Sequence, residues 1–317
     1  MVTRRTFNQI AALSALRLKA VADEPTLWSS EMQADRLLIH HNHQQIATYV
    51  FNDITISRPY FMDLYTMGGT RITRHNPPEP NMEAGDHATM HPGLWLAFGR
   101  LNGEDYWRNK ARIHHVRFIK SPEVKSNQIS FSVLNTYYSR DMKKPLLNEV
   151  SKFRWTSWAG GVMLDWNSTI TSLSDALKLG QQEEMGLGVR LSTPLCVKNG
   201  RGQINNSEAG INESGTWGKE ALWWAATMPS TGSPDDGLKT GIQIIAQSSN
   251  VLKFWGHTRD YGLIVANPTP RPDQKQDMIE LDAHKSLKMQ FRVLLFDHIK
   301  PELEKWGELK LADEADF

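Results

Sequence analysis

Apolar and polar residues alternate in several separated stretches of this chain, and this period of two constrains the fold more than any other feature. Three runs show it, 129–133, 162–170 and 287–295, and 241–245 and 261–265 are shorter candidate strands. Successive side chains of a strand point to opposite faces, so each run is typical of a strand with one buried face. Turn-rich joints separate the runs, such as residues 67–69, 198–200 and 230–237.

A helical pattern is confined to the C-terminal end. Pro301 suits the first turn of a helix, and Leu303, Trp306 and Leu309 are spaced to dock on a sheet. The sequence therefore predicts an all-β protein, a large antiparallel β-sandwich of two sheets with a short C-terminal helix. We expect a single domain over residues 23–317, because no repeat, low-complexity tract or linker divides it.

The composition argues against several classes of partner. The formal net charge of +1 gives no electrostatic reason to expect nucleic acid or an anionic membrane surface. No stretch of about 18 apolar residues is present, so a membrane-spanning helix is not predicted. Cys196 is the only cysteine, which excludes an intrachain disulfide and a cysteine-based metal site, and we expect it to be a buried small residue.

The first 22 residues have the features of an export signal. Arg4 and Arg5 resemble a twin-arginine motif, and a short apolar stretch follows from Ile10 to Leu16. Ala20-Val21-Ala22 then offers a small-residue cleavage site. We therefore predict that residues 1–22 are an export signal and that the protein is periplasmic or secreted.

The stretch from Gly85 to Trp95 holds most of the reactive side chains. It contains Asp86, His87, His91 and Trp95 within ten residues, and Pro92-Gly93 ends any helical turn there. His87 and His91 are four residues apart and would project to one side in a turn or in extended backbone. Imidazole is suited to proton transfer near neutral pH and to metal binding. The alternative is that both histidines only form hydrogen bonds within a loop.

Two later stretches add complementary groups. Glu183 and Glu184 precede a glycine-containing run that ends at Arg190, and glycines permit close backbone approach. His257 and Arg259 are two residues apart and share one face of an extended backbone. An arginine there could hold a substrate oxygen while the imidazole moves a proton. Solvated glutamates and an Arg259–Asp260 surface pair are the structural alternatives.

Eleven tryptophans are present, and indole rings stack well on the apolar faces of sugars. Trp155, Trp158 and Trp166 lie in strand-like alternation and are expected to pack in the core. Trp95 and Trp217 adjoin the polar motifs, so we expect these two to contact a ligand.

Several separated motifs resemble one known family. In chain order they are Arg58-Pro59-Tyr60-Phe61, Asp86-His87, His91-Pro92-Gly93-Leu94-Trp95, Asn102-Gly103-Glu104-Asp105-Tyr106-Trp107, Leu164-Asp165-Trp166, Glu184 to Arg190, Trp217-Gly218-Lys219 and Arg259-Asp260-Tyr261-Gly262-Leu263. On these motifs the chain resembles the bacterial family labelled methane oxygenase PmoA-like, from Leu38 onward. Family members often have Asp-His-Pro-His-His at the first histidine motif, whereas here residues 88–90 separate the two histidines. A role that needs a third histidine there is therefore not carried over.

The resemblance implies a setting in bacterial sugar catabolism. Methane oxidation is not carried over, because the oxygenase subunit of that name is an integral membrane copper protein and this chain has no spanning segment. A sandwich that handles sugars is consistent with a galactose-mutarotase-like double-sheet architecture. The expected partner is a small-molecule carbohydrate.

Three functions remain open at this stage. The first is an exported carbohydrate-active enzyme, a sugar epimerase, lyase or glycoside hydrolase. In it His87 or His91 and Glu184 exchange protons, His257 orients or relays, and Asp86, Trp95, Arg190, Trp217 and Arg259 bind substrate. The second is a non-catalytic carbohydrate-binding protein. The third is a mononuclear metal enzyme with His87, His91 and His257 as ligands and with Asp86 or Glu184 as the carboxylate that completes the site. The sequence does not identify a cofactor or a metal.

Overall fold

The structure is a computed structural model that describes residues 27–125, 127–230, 237–248 and 253–309. The proposed export signal, residues 1–22, lies outside these ranges. So do most of the turn predicted at 230–237 and the end of the helix predicted at 301–311.

Strands dominate the described residues. In chain order they are β1 (Trp28–Met32), β2 (Arg36–His41), β3 (Gln44–Val50), β4 (Tyr60–Met62), β5 (Leu94–Phe98), β6 (Ile113–Lys125), β7 (Gln128–Tyr138), β8 (Pro145–Trp158), β9 (Gly161–Ser172), β10 (Leu177–Gly180), β11 (Met185–Arg190), β12 (Gln203–Asn206), β13 (Trp223–Pro229), β14 (Lys239–Ser248), β15 (Trp255–Arg259), β16 (Leu263–Asn267), β17 (Met278–Leu281) and β18 (Ser286–Ile299). Two short helices are present, α1 (Asn212–Thr216) and α2 (Leu303–Gly307).

Sixteen of the described strands form two large antiparallel sheets, and β10 pairs separately with β17. The first sheet has the order β1-β2-β3-β4-β5-β11-β16-β15, and the second has the order β12-β13-β14-β18-β9-β8-β7-β6. The predicted antiparallel β-sandwich is therefore confirmed. The three alternating runs lie inside β7, β9 and β18, and the candidate strand at 241–245 lies inside β14. The run 261–265 becomes a strand only at Leu263, because Gly262 has a φ of +96° and closes a turn onto Arg259.

Aromatic side chains fill the space between the sheets. Tyr49 of the first sheet lies 5.4 Å from Phe131 and 5.2 Å from Phe153 of the second, measured between ring centroids. Trp155 and Trp166 belong to the same core, as their alternation predicted. Apolar burial of this extent is the main favourable contribution to folding.

The C-terminal helix packs on the outer face of the second sheet. Trp306 lies 5.1 Å from Trp158 and 5.2 Å from Phe296, between ring centroids. Trp158 therefore packs outside the main core rather than within it. The helix ends at Gly307, so Leu309 falls beyond it and is exposed instead of docking on the sheet.

A separate hydrophobic cluster covers the outer face of the first sheet, and we call it the outer cluster. Its buried members are Val50, Ile56, Tyr60, Met62, Trp95, Ala97, Trp107, Leu263 and Val265. No helix among the described residues is long and apolar enough to span a membrane. The outer cluster forms the base on which the chemical groups described next are assembled.

Candidate functional site

Strand register brings distant motifs onto this outer face. Trp95 on β5 pairs with Gly188 on β11, which pairs with Val265 on β16, which pairs with His257 on β15. A second row runs from Arg190 through Leu263 to Arg259. Side chains in such rows share one face of a sheet, so β5, β11 and β15 contribute to a single surface.

Gly188 makes room for the indoles of the outer cluster. A Cβ atom at Gly188 would lie 2.8 Å from the Trp95 ring and 2.9 Å from the Trp107 ring. The absence of a side chain lets both rings lie across β11. This is the close approach for which the glycines of the 184–190 motif were singled out.

The turn after residue 85 holds the two histidines together. The amide N–H of His91 donates to the carbonyl of His87 at 2.9 Å, which closes one helical turn. The two imidazole rings are stacked, with centroids 4.8 Å apart and planes 17° apart. Their predicted projection to one side is confirmed.

A buried arginine supports that turn. The Arg74 guanidinium donates to the carbonyls of Ala84 at 2.7 Å and Asp86 at 2.8 Å, and more weakly to that of His91 at 3.3 Å. Burial and the neighbouring Arg190 lower the pKa of Arg74 to about 10. Backbone carbonyls thus hydrogen-bond a cation that burial would otherwise penalise.

Arg190, Asp86 and His87 form a chain of hydrogen bonds from the sheet to the surface. Buried Arg190 donates to both Asp86 oxygens, at 2.9 and 2.7 Å, and Asp86 Oδ2 lies 2.8 Å from His87 Nδ1. Burial opposes ionisation of Asp86, but the bonds from Arg190 and His87 outweigh it and hold the pKa of Asp86 well below its ordinary value. The exposed His87 ring is therefore oriented through Nδ1, and Nε2 is not part of this chain.

The same contacts correct two predictions. Arg190 is expected from the sequence to hold a substrate oxygen, but its two terminal nitrogens are engaged by Asp86 and its guanidinium lies 4.4 Å above the Tyr261 ring. Asp86 is likewise engaged by Arg190 and His87 rather than open for substrate. Both residues hold His87 in position.

His91 and Trp95 are buried, which also corrects their predicted roles. The His91 ring is 1% exposed and lies between His87 and Trp95, 5.2 Å from the indole centroid. Trp95 is 0% exposed, so its faces cannot stack on a sugar. Burial, followed by the charge of Arg190, lowers the pKa of His91 far below its ordinary value. His91 is a neutral packing residue and exchanges no proton with a solvent-borne substrate.

Glu184, the residue before β11, is half-buried and lies within electrostatic reach of His87. It pairs with Arg108, which also binds Asp105 at 3.2 Å. Burial raises the pKa of Glu184, and the charges of Arg108 and His87 oppose that rise. A half-buried carboxyl group beside an oriented imidazole is a combination found at acid–base sites.

Glu183, the neighbour of Glu184 in the chain, contacts two residues of the edge strand β15. Its Oε2 lies 2.9 Å from an Arg259 nitrogen and 3.3 Å from His257 Nδ1, the second contact without hydrogen-bonding geometry. Burial, then the charge of Arg259, lowers the pKa of His257 to about 3. His257 is therefore neutral at physiological pH.

Arg259 is enclosed by acidic and aromatic side chains. It pairs with Glu213 of α1 at 3.2 Å and lies 5.6 Å from the centroid of the half-buried Trp217 ring. Asp260 accepts from the Glu213 amide at 2.8 Å instead of pairing with Arg259. The structural alternative of an Arg259–Asp260 pair is therefore wrong.

We call this surface the outer patch: His87, Glu183, Glu184, Arg108, Arg259, Trp217, Tyr261 and their contacts. Of the predicted site residues, it brings Asp86, His87 and Arg190 into one chain, with Glu184 beside it. A second group consists of His257, Arg259 and Trp217. Glu183 contacts the first two of these residues and precedes Glu184 in the chain. The residues that the sequence reasoning missed are Arg58, Arg74, Arg108, Glu213 and Tyr261. Only the motifs Arg58-Pro59-Tyr60 and Arg259-Asp260-Tyr261 drew attention to any of them.

The histidines do not converge as metal ligands. His87 and His91 are stacked face to face, and His257 lies across β16 from them. Among the residues that the structure describes, no group of three or more His, Cys, Asp or Glu side chains has an arrangement that could hold a metal ion. The His87–His91–His257 ligand set is therefore wrong. Cys196 is buried as expected, and burial raises the pKa of its thiol to about 11.

The fold and the outer patch define an all-β sandwich protein with a cluster of ionisable side chains assembled on the outer face of one sheet. The chain belongs to a family of unknown function, DUF6807, whose model matches residues 36–306. No curated protein matches it. The resemblance to the PmoA-like family stays a prediction.

Solved structures of similar fold are distant. A galactose mutarotase related enzyme from Lactobacillus acidophilus is 10% identical, with a TM-score of 0.41, over 86% of this chain and 98% of that one. A galactose mutarotase-like protein from Clostridium acetobutylicum is 9% identical, with a TM-score of 0.43, over 86% and 99%. An α-galactosidase from Geobacillus stearothermophilus is 10% identical, with a TM-score of 0.43, over 80% of this chain and 40% of that one.

Proposed function

We propose that the outer patch is the active site of a carbohydrate-active enzyme that uses acid–base chemistry. The observation that carries this proposal is the chain from Arg190 through Asp86 to His87. A buried guanidinium fixes a carboxylate by two bonds, and that carboxylate fixes an exposed imidazole through Nδ1. A histidine that is oriented through one nitrogen is suited to exchange a proton through the other.

Glu184 is the complementary acid in this proposal. Its pKa is raised by burial, so it holds a proton more readily than a solvated glutamate. His87 removes a proton from the substrate, and Glu184 donates one to an oxygen of the substrate. Proton exchange of this kind serves a sugar epimerase, a lyase or a glycoside hydrolase. Trp217, which is half-buried at the edge of the patch, offers an aromatic face for a sugar ring.

A survey of sugar substrates tests the proposal. The purified protein is incubated with neutral monosaccharides, uronic acids and aryl glycosides, and proton NMR follows anomeric exchange, epimerisation, elimination and hydrolysis. We expect turnover of at least one substrate and a loss of about 10²–10⁴-fold in His87→Asn and Glu184→Gln, the range for removal of a general acid or base.

His284→Asn is the matched control. His87 and His284 both have positive φ, 51° and 64°, a conformation that asparagine tolerates, and His284 is exposed elsewhere. The control should retain full turnover. Sugar binding without turnover by any substrate would instead establish a carbohydrate-binding protein, and full activity in His87→Asn would refute the assignment.

We also propose that the protein is exported. The support is the sequence of residues 1–22, with Arg4-Arg5 and the Ala20-Val21-Ala22 cleavage site. N-terminal sequencing of protein recovered from the native host should begin at Asp23. An unprocessed N-terminus at Met1 or Val2 would refute it.

A further inference from the structure

The charged groups of the outer patch satisfy one another. Five cations and five carboxylates are paired there: Arg74, Arg108, Lys110, Arg190 and Arg259, with Asp86, Asp105, Glu183, Glu184 and Glu213. Their formal charges cancel. A patch of this kind presents neither the excess cations that attract a carboxylate or phosphate nor the excess anions that attract an amine.

The buried and half-buried arginines are also held by named partners. Arg190 is bidentate to Asp86, and Arg259 lies between Glu183 and Glu213. Arg58 and Arg74 are 2% exposed and donate to backbone carbonyls, such as that of Trp107 at 2.9 Å from Arg58. A substrate carboxylate would have to displace one of these carboxylates and leave it unpaired, which is costly for half-buried groups.

Aromatic side chains lie at the same surface, beside the paired charged groups. His87 is exposed, and Tyr261 and Trp217 are half-buried. They offer an imidazole, a phenol and an indole, which hydrogen-bond and stack without a formal positive or negative partner. These groups suit hydroxyl oxygens and the apolar face of a ring.

We infer that the outer patch selects uncharged sugars over sugar acids and sugar phosphates, a specificity set by the internal pairing of its arginines. This inference rests on the proposed function, because it names the substrate class of the same site. It also assigns Glu183 a role: this carboxylate occupies the Arg259 guanidinium and keeps it from binding an anionic substrate.

The test compares matched neutral and acidic sugars. Protein labelled with carbon-13 at histidine Cε1 is titrated with D-galactose, D-glucose, D-galacturonate and D-glucuronate at pH 7.5. The His87 resonance is assigned by its loss in His87→Asn, and those of the exposed His284 and His298 serve as internal references. We expect each neutral sugar to shift the His87 signal with a Kd at least ten-fold lower than that of its uronate.

Glu183→Gln then tests whether the pairing of Arg259 causes the preference for neutral sugars. Removal of this carboxylate leaves Arg259 with Glu213 alone, so the preference for galactose over galacturonate should fall at least ten-fold. Glu280→Gln, an exposed glutamate that pairs with Lys178 at 3.4 Å on another surface, should leave the preference unchanged.

The outcomes separate the two proposals. Tighter or equal binding of a uronate by the wild type, or an unchanged preference in Glu183→Gln, overturns the selectivity inference alone. Neutral binding with full turnover in His87→Asn refutes the catalytic assignment and leaves the selectivity standing. A His87 signal that no sugar shifts overturns both.

Discussion

Replacement of His91 by phenylalanine should make the protein less sensitive to acid. The His91 ring is 1% exposed, and neither of its nitrogens has a hydrogen-bond partner among the described residues. Its pKa lies far below 6.5 in the folded protein, because burial and the charges of Arg190, His87, Arg58 and Arg74 disfavour the imidazolium. In the unfolded chain the same histidine titrates near 6.5.

The sign and size of the effect follow from this difference. Below pH 6.5 the unfolded state takes up a proton at His91 that the folded state does not, so acidification destabilises the fold by about 1.4 kcal/mol per pH unit. Between pH 7.5 and 5.0 the sum is about 2 kcal/mol for this one residue. His91→Phe removes this acid-induced loss of stability and preserves a flat ring between His87 and Trp95.

Urea unfolding followed by tryptophan fluorescence at the two pH values measures the effect. The free energy of unfolding of His91→Phe, relative to wild type, should rise by about 2 kcal/mol on going from pH 7.5 to 5.0. Any packing cost of the larger ring cancels in that difference, and m-values should agree between the two proteins. His284→Asn should follow the wild type. Parallel pH profiles for wild type and His91→Phe would show that His91 is protonated or hydrogen-bonded in the folded state, and would refute the argument.

Three further substitutions test other contacts. Gly188→Ala should cost about 1–3 kcal/mol in urea unfolding, because its Cβ would overlap the indoles that cross β11; an unchanged midpoint would contradict the close approach. Arg190→Met should destabilise by less than the roughly 3–5 kcal/mol of a fully buried pair, since the side chain of Asp86 is 38% exposed, and should broaden the His87 NMR signal; a sharp, unshifted signal would refute the positioning role. Trp306→Ala should cost about 3 kcal/mol and leave sugar titrations unchanged, because the helix lies on the opposite sheet; altered sugar affinity would contradict that separation.

The sequence contained enough local information to predict the strands and the histidine turn. Period-two alternation at 162–170 reports directly on which face of a strand is buried, and Pro92-Gly93 marks where the turn after His87 ends. Both features depend on residues that are neighbours in the chain. This is why the antiparallel sandwich and the shared orientation of the two histidines could be predicted.

Partners and burial at the site depend on distant residues, and these were not predictable from one sequence. Arg190 and Asp86 are 104 residues apart, so nothing local indicates that each neutralises the other. Trp95 is adjacent to polar motifs in the sequence, yet Gly188 and Trp107 enclose it from other segments. Because its neighbours in the sequence are polar, Trp95 was predicted to contact a ligand, although its environment in the fold is apolar.

The outer cluster lies on the far side of the first sheet from the sandwich interior. Because of this position, local opening of the site and global unfolding of the sandwich should occur at different temperatures. The 84–91 segment can open without exposing the interior, because its contacts are with the outer cluster and with Arg58, Arg74 and Arg190. Sub-global opening of such a unit requires less free energy than global unfolding. Amide hydrogens of residues 87–91 should therefore exchange through a low-energy opening while those of β7 to β9 exchange only on global unfolding. Heat should abolish ligand binding several degrees before the β-sheet signal is lost.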